Sequence, residues 1–198
     1  MKSYLRLVSI VLLVCVLFAA GCTINPVTGK KQLTLIPEDQ EIALGVRTAG
    51  QFEKEFGGKV DSPELQQYIA EVGAKLAAVS DRPMPYEYAL LSSNVPNAFA
   101  LPGGKIYVTA GLFRHMSNER QLAAVLAHET VHVAAKHSVQ ALQNQMGAAI
   151  VAELVGVAVG GDHAESAEAA TKLVAGLRNL KHSREDESES DEYGLKYM

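Results

Sequence analysis

Apolar and polar positions change rhythm several times along this chain, and the changes divide it. Residues 7 to 20 form an almost unbroken apolar run behind Lys2 and Arg6, followed by the small residues Ala19-Ala20-Gly21. The run is shorter than the ~20 residues a membrane-spanning helix needs. It has the layout of a secretory signal peptide, so the fold is expected to begin after it. Residues 23 to 36 carry Pro, Gly and two lysines and read as a tether and first anchoring segment. Pro37-Glu38-Asp39 then opens a helix, with acids at the positive end of the dipole. It is expected to run to about Phe56 and stop at Gly57-Gly58. Ser62-Pro63-Glu64 opens a second, to about Val79, with Leu65, Ile69, Val72 and Leu76 on one face.

The middle of the chain shifts to a strand-like period. Tyr86 to Leu91 reads as a strand. Asn97 to Leu101 and Lys105 to Thr109 read as two more, and Pro102-Gly103-Gly104 between them predicts a hairpin. From Ser117 onward the pattern is helical again, with Ser117 or Asn118 as the cap of the first of these helices. Further helices are expected over about Val139 to Val159 and, after the break Gly160-Gly161-Asp162, over about Ala164 to Leu180. Residues 148 to 159 are the most apolar internal stretch but too short to span a bilayer, so they are expected to pack against the helix that carries residues 122 to 134. A small sheet followed by a run of helices is an α+β pattern.

Composition adds little to the class and more to the compartment. The chain has 198 residues, of which 48% are hydrophobic and 20% charged, enough to bury a core. Its formal net charge of −4 argues against a nucleic-acid binder. The segment Ala19-Ala20-Gly21-Cys22 resembles a bacterial lipoprotein processing site, with cleavage before Cys22 and lipid on that cysteine. Thr23 rather than Asp follows, which in a Gram-negative cell directs such proteins to the outer membrane. Cleavage removes two positive charges, Lys2 and Arg6, and takes the net charge from −4 to −6. It also removes Cys15, leaves Cys22 as the remaining cysteine, and so rules out a structural disulfide.

The candidate chemistry lies in LAAVLAHETVHVAAKH, residues 122 to 137. On a helix His128 and His132 differ by about 40° around the axis and point the same way, the bite a tetrahedral Zn²⁺ needs. Glu129 between them can reach a water at such a metal and serve as general base. Two histidines leave room for a third protein ligand. His137, five residues past His132 and about 140° round a continuing helix, has the wrong direction and reads as a helix-end histidine favoured by the dipole. A metzincin would need a glycine at 135 and a histidine at 138, where this chain has Ala135 and Ser138. His163, His182 and the acidic run REDESESDE remain. In that run Glu187 and Asp191 share a helical face, so one can bind metal while the other accepts an N–H from a ligand histidine. Glu185 and Glu189 form no such pair with an aspartate.

AAVLAHETVHVAAKH followed downstream by SREDESESDEYGL resembles the zinc peptidases of family M forty-eight, the CAAX-type and HtpX-like gluzincins. The lipoprotein start, NPVTGKKQLTLIPEDQEIALG and NAFALPGGKIYVTAGL are similar to its periplasmic lipoprotein branch. The resemblance implies a gluzincin fold, mainly helical around a short sheet, with one zinc on the motif helix. It implies His128, His132 and Glu187 as zinc ligands, Glu129 as general base and Asp191 as the partner of a ligand histidine. Ser190 stands where members commonly have Ala. The edge strand Asn97, Ala98, Phe99 and Ala100 would pair with an extended substrate, although Phe99 by itself reads as core. Members usually continue past this point, so the domain over 37–198 is expected to lack a C-terminal part. The implied activity is endopeptidase action on envelope proteins. The implied partners are protein or peptide substrates, the membrane through the lipid, and outer-membrane assembly machinery. The rival expectation is a zinc-containing chaperone or scaffold lipoprotein with a closed site.

Overall fold

The computed structural model describes residues 22–160 and 163–198; the signal peptide reading over 1–21 and the side chains of Cys22 and His163 lie outside that description. The elements are, in order, strands β1 (Cys22–Ile24) and β2 (Lys31–Leu33), helices α1 (Glu38–Glu55) and α2 (Pro63–Ala77), strands β3 (Glu87–Leu91), β4 (Ala98–Leu101) and β5 (Lys105–Thr109), the short α3 (Ala110–Phe113), then α4 (Glu119–Ala134), α5 (His137–Met146), α6 (Ala148–Gly160), α7 (His163–Arg178) and α8 (Arg184–Tyr197). This is the α+β arrangement that the change of period predicts.

The predicted hairpin is present: β4 and β5 are antiparallel, Ala98 opposite Val108 and Leu101 opposite Lys105. Its turn is a single 3₁₀ turn over Pro102–Gly104. Gly103 there has φ 78°, and a Cβ on it would come within 2.6 Å of the Ile42 Cα, so only glycine fits. β3 runs parallel to β5 on its other side, giving the order β3-β5-β4 and leaving β4 at the edge. Side chains alternate across the central strand. Ile106 and Val108 join Ile69, Leu122, Leu126 and Val131 in one buried cluster, with α2 and α4. Tyr107 points the other way, into a cluster with Leu44, Phe52, Val155 and Leu173 from α1, α6 and α7.

Three local expectations are revised. Residues 22 to 33, within the tether segment, form a small hairpin of β1 and β2. Asn25 Oδ1 nucleates its turn by accepting from Val27 N–H at 2.9 Å and Thr28 N–H at 3.2 Å. Gln143 of α5 holds it to the domain, donating to Leu33 O and accepting from Leu35 N–H, both at 3.0 Å. The single helix expected over 139–159 is two, because Gly147 at φ 88° breaks it. That break turns α6 onto α1, α5 and α7 rather than onto the motif helix. Among the described residues no helix is long and apolar enough to cross a membrane.

The motif helix α4 is fixed at both ends. Asn118 caps its start, accepting from Gln121 N–H. At its end Arg82 donates to the Val133 carbonyl at 3.2 Å, beside the Lys136 N–H at 3.1 Å, and so places its charge at the negative end of the dipole. Arg82 is itself buried and makes a bidentate pair with buried Glu41, at 3.0 and 2.8 Å. Arg82 also holds the half-exposed Glu38, through Nε at 3.1 Å and Nη2 at 2.8 Å, so losing Glu41 leaves it that one partner. Glu41→Ala should therefore destabilise the fold by about 3 kcal/mol, the low end for breaking a buried pair, read as a shift of the urea midpoint with unchanged slope.

Candidate metal centre

Helix α4 buries Leu122, Leu126 and Val131 against the sheet and turns His128 and His132 toward α8. Helix α8 is the acidic run. It is a helix because Ser183 and Asp186 form a capping box, with Ser183 Oγ accepting from Asp186 N–H and Asp186 Oδ2 from Ser183 N–H. Glu185, Asp186 and Glu187 then sit in its first turn, where the dipole favours negative charge. The two helices approach closely at Gly194, where a Cβ would lie 3.2 Å from the His128 backbone nitrogen.

This packing brings three donor atoms to one point. His128 Nε2 and His132 Nε2 are 3.0 Å apart. Glu187 Oε2 is 3.4 Å from His128 Nε2, and its Oε1 is 3.6 Å from His132 Nε2. Donors at 2.0–2.1 Å around a tetrahedral cation lie about 3.3 Å from one another, so the two Nε2 atoms and the Glu187 carboxylate fit a shared ion. They form a group of the kind that can hold a metal. His128 Nδ1 lies 2.9 Å from Asp191 Oδ1. A proton held there leaves the Nε2 lone pair facing the same point. His132 is 3% exposed, and burial with three neighbouring histidines pushes its pKa down to about 2. It is therefore neutral, as a metal ligand must be. Burial, with the negative charge of Glu187 adding, pushes the Glu129 carboxyl up to about 8. A cation at the shared point would favour its ionised form.

A cleft of about 340 Å³ opens beside these atoms and is lined by Glu129, both histidines, Glu187 and residues 97–101. In β4 the Asn97 carbonyl accepts from Thr109 N–H, so by the antiparallel alternation the Ala98 and Ala100 backbone groups face away from β5. The Ala100 carbonyl accepts from Ser138 Oγ at 3.3 Å. Phe99 packs its ring among Phe56, Tyr107 and Phe52, with centroids at 4.8, 5.2 and 5.7 Å, as its reading as core anticipates.

Two further histidines belong to the neighbourhood. His182 stacks on His132 with ring centroids 4.2 Å apart, burial lowers its pKa, and its Nδ1 is buried without a hydrogen-bond partner among the described residues. His137 is not the helix-end residue expected. The motif helix stops at Ala134, and Lys136 adopts φ 63°, so His137 begins α5 and swings back to put Nδ1 3.0 Å from His132 Nδ1. The helical-wheel angle fails because the helix does not continue. No sequence signal marks a left-handed lysine.

A chain folded this way, with an acid between two helix-borne histidines and a sheet edge beside them, is of the metallopeptidase class. A family model described as Peptidase family M48 matches residues 63–198. The chain belongs to that family, whose members are metal-dependent peptidases. It is 31% identical over 146 residues to the beta-barrel assembly-enhancing protease of Escherichia coli strain K12, covering 70% of this chain and 30% of that protein. It is 36% identical over 108 residues to the Yersinia pestis protein of the same name, covering 54% of this chain and 22% of the relative. With the mitochondrial metalloendopeptidase OMA1 of Schizosaccharomyces pombe it shares 28% identity over 180 residues, 87% of this chain and 51% of that one. The chain thus spans about 30% of the Escherichia coli protein's length.

Proposed function

We propose that this chain is the peptidase domain of a zinc-dependent endopeptidase that hydrolyses peptide bonds of proteins in the bacterial envelope. The observation that carries the reading is the convergence of His128 Nε2, His132 Nε2 and the Glu187 carboxylate, the two nitrogens 3.0 Å apart, one oxygen 3.4 Å from His128 and the other 3.6 Å from His132. These three would hold one zinc per chain. Asp191 would keep the His128 proton on Nδ1 and its lone pair on the metal side. Zinc, when bound, supplies Lewis acidity, bringing the pKa of a water near 7 and polarising a carbonyl. Glu129 is the group that accepts the proton of the attacking water and returns it to the leaving amine.

Substrate would lie along the outer edge of β4, extended, with the Ala98 backbone groups and the Ala100 N–H as partners and Asn97 and Phe99 bounding the track. Ala98→Pro removes one edge donor without touching a metal donor. It should lower kcat/KM about tenfold, the worth of one well-made hydrogen bond, with zinc content unchanged. Equal peptide turnover by this variant and wild type would remove the edge from the account.

In this reading residues 1–21 are a lipoprotein signal peptide. Residues 22–36 are the lipidated start, anchored through Cys22 at the periplasmic face of the outer membrane, and 37–198 are the peptidase domain. The names of the bacterial relatives support a role in envelope protein quality control beside outer-membrane assembly machinery. A second reading, a chaperone or scaffold lipoprotein with a closed zinc site, draws on His182, which stands against His132 with a nitrogen that has no partner among the described residues. Metal analysis of the purified protein should find about one zinc per chain, as a single three-residue site requires. A zinc-free preparation with full peptidase activity would overturn the proposal.

A further inference from the structure

Beyond the three donor atoms, the site has an inner support that the two motifs at 128–132 and 187–191 do not include. His132 has two ring nitrogens with different neighbours. Its Nε2 faces His128 Nε2 and Glu187, and its Nδ1 faces His137 Nδ1 at 3.0 Å. Two imidazole nitrogens at that distance share one proton, so one donates and the other accepts. The other nitrogen of His137, Nε2, lies 3.2 Å from Glu189 Oε2 and 3.7 Å from Asp186 Oδ1. A neutral imidazole bonded to a carboxylate through Nε2 carries its proton there, which makes its Nδ1 the acceptor. The His132 proton is then on Nδ1, and its Nε2 is a bare lone pair aimed at the donor cluster. Ser190 Oγ, 3.4 Å from His137 Nδ1, can point its hydroxyl at the same acceptor. The remaining oxygen of Glu189 takes the Lys30 ammonium at 3.0 Å, from the turn between β1 and β2.

We propose that His137 and Glu189 are positioning residues for the metal ligand His132. Glu189 sets the tautomer of His137, and His137 in turn fixes the tautomer and ring orientation of His132. His137 is only 3% exposed, so its partners inside the fold must satisfy it. Asp191 serves His128 in the same way at one bond's remove, so each histidine of the pair has a support of its own on α8. The left-handed Lys136 is what allows the support, since it turns the chain back to present His137 to the preceding helix. This inference rests on the metal reading above.

The test measures zinc affinity by chelator competition, at one pH, in wild type, His137→Ala, Glu189→Gln and Glu185→Gln. The last lies on α8 and exposed, and serves as control. His137→Ala should bind zinc about 10- to 100-fold more weakly, the usual effect of losing an outer hydrogen bond to a ligand histidine. Glu189→Gln keeps an acceptor oxygen and should fall between that variant and wild type. Glu185→Gln should match wild type. If His137→Ala does not fold, Glu189→Gln carries the affinity arm, and long-range ¹⁵N NMR of the zinc-loaded wild type provides an independent reading. That spectrum should place the His132 proton on Nδ1 and the His137 proton on Nε2. A folded His137→Ala or Glu189→Gln that binds zinc within twofold of wild type, or a His137 proton on Nδ1, overturns the positioning role and leaves the metal site standing. A wild type that binds no zinc overturns both.

Discussion

Glu129→Gln should reduce peptide hydrolysis by about 10²- to 10⁴-fold, the contribution of one positioned general acid–base. The substitution keeps the volume and planarity of the side chain, so the cleft it lines should keep its shape. It removes only the ability to take and return a proton. The expected signature is a fall in kcat with KM little changed, since Glu129 is assigned to proton movement and not to holding the peptide. Zinc content should stay at the wild-type level, because Glu129 is not among the convergent donors. Hydrolysis at the wild-type rate by this variant would assign the base to another residue of the cleft.

Glu187→Ala should produce the second large effect, of a different kind. Glu187 is the one donor that α8 contributes to the cluster, and the other two come from α4. Without it a two-histidine site remains, short of the three protein ligands that hold catalytic zinc. The expected outcome is loss of zinc on dialysis against a mild chelator, together with loss of activity. The fold should survive, because Glu187 is half exposed and α8 is still held by its Ser183–Asp186 capping box and by the close approach at Gly194. Zinc retained at full affinity would move the third ligand elsewhere, with His182, stacked on His132, a candidate among the described residues.

What the sequence discloses here follows from how local each signal is. The strands and the motif helix are legible because side-chain period and capping are short-range, as Asn118 and the Pro102–Gly104 turn illustrate. The placement of Glu187 and Asp191 beside the histidines is legible only through their one-turn spacing combined with the family resemblance, since an acidic run alone is most simply a solvated helix. Three features are not legible. The parallel pairing of β3 with β5 depends on distant segments, and no turn between them announces it. The hairpin over residues 22–33 owes its place to Gln143, far along the chain. The role of His137 depends on one residue, Lys136, taking a backbone conformation that its side chain does not favour. Gly147 is the intermediate case: a glycine inside an apolar helical pattern reads as tolerated, and its positive φ alone converts it into a break.

In the proposed function His128, His132 and Glu187 together hold a catalytic zinc with one position left for water and substrate. The most direct measurement is a crystal structure of the zinc-loaded protein with anomalous data collected at the zinc edge. The expected result is one zinc bound by His128 Nε2, His132 Nε2 and Glu187 at about 2.0–2.2 Å, with its fourth position filled by solvent or ligand and facing β4. A zinc bound elsewhere, or one whose fourth position is closed by His182 or another protein side chain, would contradict it and favour the scaffold reading.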